Sequence, residues 1–180
     1  MFPSLLSRPD RLFSSAALFR TLSRGAVYAE TEAKNRRAPG REEKTMPAEA
    51  LKDPAQLRRR MVAGQLAARG IRDQRLLEAM GEVPREEFVL SELVEFAYED
   101  SPLPIDESQT ISQPYIVARM IEALELESGD RVLEVGGGSG YAAAVLSRVA
   151  DEVFTIERHK SLAESAAERC RKLGYDNVQV

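Results

Sequence analysis

Residues 131–140 read Arg-Val-Leu-Glu-Val-Gly-Gly-Gly-Ser-Gly, and this stretch decides the fold class. Arg131–Val135 is a short β-rich run. The glycines at 136, 137, 138 and 140 turn the chain into an apolar helical period through Ala143, Val145, Leu146 and Val149. Glu152–Ile156 (EVFTI) reads as a second strand. Ser161 and Glu164 have capping-box spacing for a helix over 162–173, which Gly174 would end. Asp176-Asn177 then turns the chain into Val178-Gln179-Val180, the start of a third strand. Strand, helix, strand, helix, strand over about 50 residues is the opening of a doubly wound, mainly parallel α/β sheet.

Upstream, the pattern is helical. Leu57, Met61, Val62 and Leu66 share one face of a helix expected over 55–69, with Gly70 as its stop. Asp73 can cap a second helix carrying Leu76, Leu77 and Met80, ended by Gly81. Pro84 breaks the chain, and a short helix is expected after Ser91. Residues 99–114 hold three prolines and no apolar period, so a long loop is expected; such loops inside compact domains are often functional. Pro114 suits the first turn of a helix reaching about Leu126.

The first 25 residues contain Arg8, Arg11, Arg20, Arg24 and five serines, with Asp10 as the single acid. That is the composition of a mitochondrial or plastid transit peptide, and Leu12, Ala16, Phe19 and Arg20 could share a helix face. The other reading starts synthesis at Met46. Residues 30–50 are polar and without period, as in a linker. Residues 1–50 are therefore expected to be a disordered arm outside the fold. Residues 51–127 should form a helical and loop region, and 128–180 the first part of a cofactor-binding domain.

Composition removes several function classes. One cysteine (Cys170) leaves no disulfide framework and no cysteine-based metal site, and one histidine (His159) leaves little for zinc or for a Ser-His-Asp triad. No run approaches the roughly 18 apolar residues of a membrane helix. The net charge of −4 is uneven: residues 1–45 carry nine Lys/Arg against five Asp/Glu, net +4, and the remainder is net −8. An acidic body is poorly matched to nucleic acid, whose binding depends on phosphate neutralisation.

Three constellations carry chemistry. The first is Glu134 followed by Gly136, Gly138 and Gly140, glycines that let a ligand approach the backbone at a strand's carboxyl end. The second is Glu157, directly after the second strand, placed to accept hydrogen bonds from ribose hydroxyls. The third is Gln109-Thr110-Ile111-Ser112-Gln113-Pro114. On local chemistry alone it is a polar loop in which Ser112 or Gln113 caps the following helix. Counted from Gly138, GxGxxA fits through Gly140 and Ala143, so a nicotinamide-dependent oxidoreductase stands as one alternative. A non-catalytic truncated chain is another.

The acid at 134 followed by GxGxG resembles the first motif of S-adenosylmethionine-dependent methyltransferases. Further segments resemble one family among these, the protein-L-isoaspartate (D-aspartate) O-methyltransferases. They include Met61-Val-x-x-Gln65-Leu66-x-x-Arg69-Gly70-Ile71-x-Asp73, Val83-Pro84-Arg85-x-x-Phe88-Val89 and Ala97-Tyr98-x-Asp100-x-Pro102-Leu103-Pro104-Ile105. Gln109–Pro114, Val132–Gly136, Thr155–Arg158 and Leu173–Val178 complete the set, in order, over about residues 57–180.

The resemblance implies a Rossmann-like methyltransferase fold with an N-terminal helical segment, and S-adenosyl-L-methionine as cofactor. It implies Ser112 as the catalytic residue. It also places Gln109, Thr110, Ile111 and Ser112, with Glu134, Gly136, Gly138, Gly140 and Glu157, against the cofactor. The implied substrates are damaged proteins and peptides with L-isoaspartyl or D-aspartyl residues. Their carboxyl would be methylated, and the ester would close to a succinimide that reopens partly to aspartate. No metal, nucleic-acid or membrane partner is implied, and the full-length enzyme is expected to be a cytoplasmic monomer, or mitochondrial or plastid if the leader is real.

Two departures stand out: Asp106-Glu107-Ser108 replaces the family's usual Gly-x-Gly, and Gly137 its usual Thr or Ser, a change expected to be tolerated. The family's Gly-Asp-Gly segment after the third strand has no counterpart before Val180. The expectation is therefore a sheet truncated after about the third strand, little activity from these 180 residues, and poor solubility for residues 46–180 alone.

Overall fold

The computed structural model describes residues 11–14 and 53–180. Apart from 11–14, the expected arm and leader helix lie outside the described residues. The first helix, α1 (Pro54–Met61), starts where Asp53 accepts a hydrogen bond from the Ala55 amide. The helical path continues through a π turn (Val62–Leu66) and a 3-10 turn (Ala67–Arg69), and Gly70 ends it at φ 99°. The expected single helix over 55–69 is thus one path with three hydrogen-bond patterns. Helix α2 (Gln74–Glu82) is capped by Asp73, whose carboxylate accepts from the amides of Arg75 and Leu76. Gly81 lies inside α2 rather than ending it; extended backbone at Val83, ahead of Pro84, does that. Two 3-10 segments follow, Arg85–Phe88 and Ser91–Phe96.

The expected 99–114 loop contains a small antiparallel hairpin, β2 (Leu103–Pro104) with β3 (Thr110–Ile111). Its reversal places Glu107 and Ser108 at φ 57° and 55°, where side chains crowd the backbone. Helix α3 (Pro114–Glu122) stops short of Leu126. Gln113 is its N-cap by backbone only, so neither Ser112 nor Gln113 serves as the side-chain cap.

The sheet then builds as expected: β4 (Arg131–Val135), α4 (Tyr141–Leu146), β5 (Glu152–Ile156), α5 (Lys160–Lys172) and β6 (Val178–Gln179). All pairings are parallel, with Glu134 beside Thr155 and Val135 beside Ile156 in the β4–β5 register. The fourth strand was not expected. Arg11–Ser14 forms β1 on the outer edge of β4, with Ser14 beside Val135, giving the order β1-β4-β5-β6. Part of the arm therefore belongs to the sheet, against the reading that put all of residues 1–50 outside the fold.

Burial alternates along the strands. Val132, Glu134, Val153 and Thr155 are buried, while Val135 and Ile156 remain 37% and 55% exposed. The core lies on the first of these faces, where Met80, Phe88, Tyr141 and Leu146 are buried. The Phe88 ring meets Tyr141 edge to face at 5.6 Å, tying the helical region to the first residue of α4.

Candidate active site

The glycine turn at the carboxyl end of β4 and the segment between β3 and α3 face one another across a cleft of about 360 Å³, its open mouth included. Thr110, Ile111 and Ser112 line one side; Glu134, Gly136 and Gly138 line the other. Val117 and Met120 of α3 add an apolar wall, and Tyr141 and Ala142 close the end at α4. The first and third constellations therefore face each other across the cleft, while Glu157 of the second lies outside its lining, bound to the Gly138 amide.

Gly136 and Gly138 have φ of 93° and 53°, which favours residues without a Cβ. The turn is pinned by its own amides. Gly136 and Gly137 donate to the Ile156 carbonyl at 2.8 and 3.3 Å, and Gly140 donates to the Gly137 carbonyl at 2.9 Å. Gly138 donates to Glu157 Oε2 at 2.9 Å. Four of the five turn amides are thus already committed within the protein. A phosphate-binding glycine loop needs such amides free to point at the anion. From the other side, Arg169 of α5 donates to the Ser139 carbonyl at 2.6 Å.

Glu134 is the carboxyl group at the cleft floor. It is 1% exposed, and its Oε2 has no hydrogen-bond partner. Burial pushes its carboxyl up to about 8, with the nearby charge of Glu157 adding and the Thr155 hydroxyl opposing. A buried acid with an unsatisfied oxygen suits a cationic ligand end, which would favour its ionised form.

Glu157 does more local work than expected. Besides Gly138, its Oε1 accepts the His159 amide at 2.9 Å. Burial works to raise its pKa, but the amides of His159, Gly138 and Arg158 outweigh that and hold the carboxyl below its ordinary value. Glu157 clamps the glycine turn and does not line the cleft. Gln109 lies outside the cleft too, its side-chain amide donating to the Glu107 carbonyl at 3.1 Å. Gly140 packs the turn on α5: a Cβ there would approach Ala166 Cβ to 3.2 Å. A side chain at Gly137 would collide with Thr155 Oγ1, so glycine fits this turn without adjustment.

The hairpin tip reaches across to the start of α5. Ser161 Oγ donates to Glu107 Oε1 at 2.6 Å, so Ser161 serves this contact, and α5 has no side-chain cap. His159 Nδ1 lies 3.7 Å from the other Glu107 oxygen, and Ile105 Cδ1 lies 3.5 Å from a Cβ built on Gly138. The residues that stand where the family usually has Gly-x-Gly thus strap the hairpin over the turn. Sequence reasoning missed this strap, and it missed Val117, Met120 and Tyr141 as lining.

The family model for protein-L-isoaspartate (D-aspartate) O-methyltransferase matches residues 57–180. The chain belongs to this family. It is 58% identical over 131 residues to protein-L-isoaspartate O-methyltransferase 2 of Pelobacter propionicus, an alignment covering 73% of this chain and 58% of that one. With protein-L-isoaspartate O-methyltransferase 1 of Rhodopseudomonas palustris it shares 61% over 123 residues, covering 68% and 50%. The chain thus spans about half the length of the curated relatives it matches.

One solved protein-L-isoaspartate O-methyltransferase superposes with a TM-score of 0.60 at 37% identity, over 67% of this chain and 40% of that one. A Plasmodium falciparum beta-aspartate methyltransferase, solved in complex with S-adenosyl-L-homocysteine, gives 0.56 at 27%, over 67% and 60%. The family assignment agrees with a glycine turn whose amides are committed and whose acid is buried. No three His, Cys, Asp or Glu side chains gather as a metal site among the described residues. No described helix is long and apolar enough to cross a membrane.

Proposed function

We propose that these residues form the donor-binding and carboxylate-positioning part of an S-adenosylmethionine-dependent O-methyltransferase. Its substrates are L-isoaspartyl and D-aspartyl residues of damaged proteins. The observation that carries this reading is the unpartnered, buried Glu134 oxygen, in a cleft whose glycine amides are spent and whose far wall holds Ser112. The residues fit the cofactor's amino-acid end, which carries an ammonium group for Glu134 and no phosphate. When bound, the cofactor supplies an electrophilic methyl group on a sulfonium. Glu157, beside the turn, keeps lone pairs beyond its amide bonds that can accept from ribose hydroxyls as well.

The protein's task is positioning. A carboxylate nucleophile is already ionised at pH 7, so no general base is needed, in keeping with a chain that has one histidine. Ser112 makes no hydrogen bond through its hydroxyl to a described residue, which leaves that group available to a substrate carboxylate. Val117 and Met120 exclude water from the same space. Holding the reacting atoms in line then provides most of the rate. We place the full-length protein in the cytoplasm as a monomer without a nucleic-acid partner.

The test is a titration of the chain, saturated with S-adenosylhomocysteine, with an isoaspartyl peptide and its normal aspartyl isomer. The isoaspartyl form should bind about tenfold tighter or better, the worth of one charge-assisted hydrogen bond. Equal affinity for the two isomers, or no binding of either, would count against the substrate assignment.

A further inference from the structure

Among the described residues Arg85 is the largest fully buried side chain, 0% exposed, at the start of the 3-10 segment after Pro84. Arginine is almost never buried without a carboxylate partner. Among the described residues, none forms an ion pair with it. Its guanidinium reaches three separate parts of the fold instead. Nε donates to the Ala97 carbonyl at 2.8 Å, past the second 3-10 segment. Nη2 donates to the Ser112 carbonyl at 2.8 Å. The guanidinium carbon lies 4.8 Å from the centroid of the Tyr141 ring, at the exit of the glycine turn. Nη1 has no hydrogen-bond partner.

Satisfying two carbonyls does not require a buried cation; a neutral amide would do so at lower desolvation cost. A planar, rigid fork offers what a neutral or flexible group does not, fixed angles between several acceptors. The Ser112 carbonyl also needs an outside donor. Helix α3 begins with bonds from the Ile116 and Val117 amides to Gln113, one residue further on. Without Arg85, the peptide unit after Ser112 would be free to rotate, and Ser112 with it.

We propose that Arg85 is the positioning residue of the active-site segment. It locks the Ser112 carbonyl against Tyr141 and the glycine turn and so fixes where Ser112 meets the cleft. This assignment rests on the proposed role of Ser112, but the lock itself can be read without activity.

Arg85→Lys keeps the charge and loses the fork. It should melt cooperatively and speed amide hydrogen exchange at Ile111–Gln113 by about tenfold or more, the loss of one buried hydrogen bond. Exchange at Val132–Val135 should stay unchanged. Affinity for S-adenosylhomocysteine should stay within about twofold while isoaspartyl-peptide affinity falls about tenfold, because Lys does not replace a forked guanidinium. Faster exchange in a chain whose unmodified form binds no peptide would leave the lock standing and remove only the substrate reading. Unchanged exchange at Ile111–Gln113, or acceleration spread equally over β4, would overturn the proposal. If Arg85→Lys does not fold, Arg85→Gln is read in the same way. Loss of folding in both would make Arg85 a core-stability residue and overturn it as well.

Discussion

At the scale of single residues, the chemistry of the site depends on Glu134 being buried rather than merely present. With its carboxyl pushed up to about 8, Glu134 is protonated at neutral pH in the free protein. A cationic ligand end requires it ionised. Binding therefore releases a proton, and S-adenosylhomocysteine affinity should rise by up to about tenfold per pH unit from 6 to 8, then level off. Glu134→Gln should flatten that dependence and weaken binding; calorimetry in buffers of different ionisation heat reads both the slope and the proton. The stability effect has the opposite sign. The unfolded carboxyl ionises near 4.3, so the native state holds the extra proton between about 4.3 and about 8, and folding stability falls as pH rises through that window. Glu134→Gln should accordingly raise the thermal midpoint at pH 8, a functional group kept at a cost to stability. A midpoint unchanged between pH 6 and 8 in the unmodified chain would refute the burial effect.

Ser112→Ala should lower isoaspartyl-peptide affinity by about 1–2 kcal/mol, with S-adenosylhomocysteine affinity nearly unchanged, since the hydroxyl is assigned to the substrate carboxylate. Equal losses for both ligands would move Ser112 to a cofactor role. Glu134 and the turn glycines stood out by residue type and position after a strand, whereas Ser112 was singled out only by the family resemblance, since its local chemistry reads as a helix cap. Arg85 was visible only as part of the Val-Pro-Arg resemblance. Charge normally marks a residue as exposed, so nothing local signals its burial. The amide bonds of Glu157 were equally hidden, because they depend on how the turn after β4 meets β5.

Among the elements, the β2–β3 hairpin is where sequence and structure diverge most. Two residues per strand are too few to show an alternating period, and three prolines read as a loop. The tip leaves Glu107 and Ser108 in the left-handed region, with Glu107 holding Ser161 in return. The side chain of Ser108 is exposed and makes no hydrogen bond to a described residue. Ser108→Gly should therefore stabilise the chain by about 1 kcal/mol, the usual relief of a left-handed non-glycine residue, seen as a higher thermal midpoint. A lower midpoint would mean that glycine's extra freedom in the unfolded chain outweighs the strain. Elsewhere element type was legible and element ends were not. Asp73 and Gly70 mark their boundaries by specific chemistry. Gly81 was misread as a stop because glycine in a helix costs only about 1 kcal/mol, which packing readily overrides.

For the molecule as a whole, the β4–β5–β6 order was legible from alternating strand and helix periods, whereas the fourth strand was not. Residues 11–14 carry no alternation, and the surrounding composition suggests a leader; only pairing with β4 makes them a strand. One sheet face retains exposed Val135 and Ile156, and β1 covers the outer edge of β4. Unpaired edges invite association between chains. Deleting residues 1–45 should therefore lower the thermal midpoint and raise light scattering relative to the 180-residue chain; identical scattering would show that β1 does not protect the edge.

The central claim is that the cleft over Glu134 takes the amino-acid end of a sulfonium cofactor and not a pyrophosphate. It is tested most directly by following the backbone amide resonances of the 180-residue chain at pH 8 during titration with S-adenosylhomocysteine and, separately, with NAD. The expected result is saturable movement of Gly136, Gly138 and Ser112 with S-adenosylhomocysteine and none with NAD. Movement of the same amides by NAD, or no response to S-adenosylhomocysteine, would contradict it.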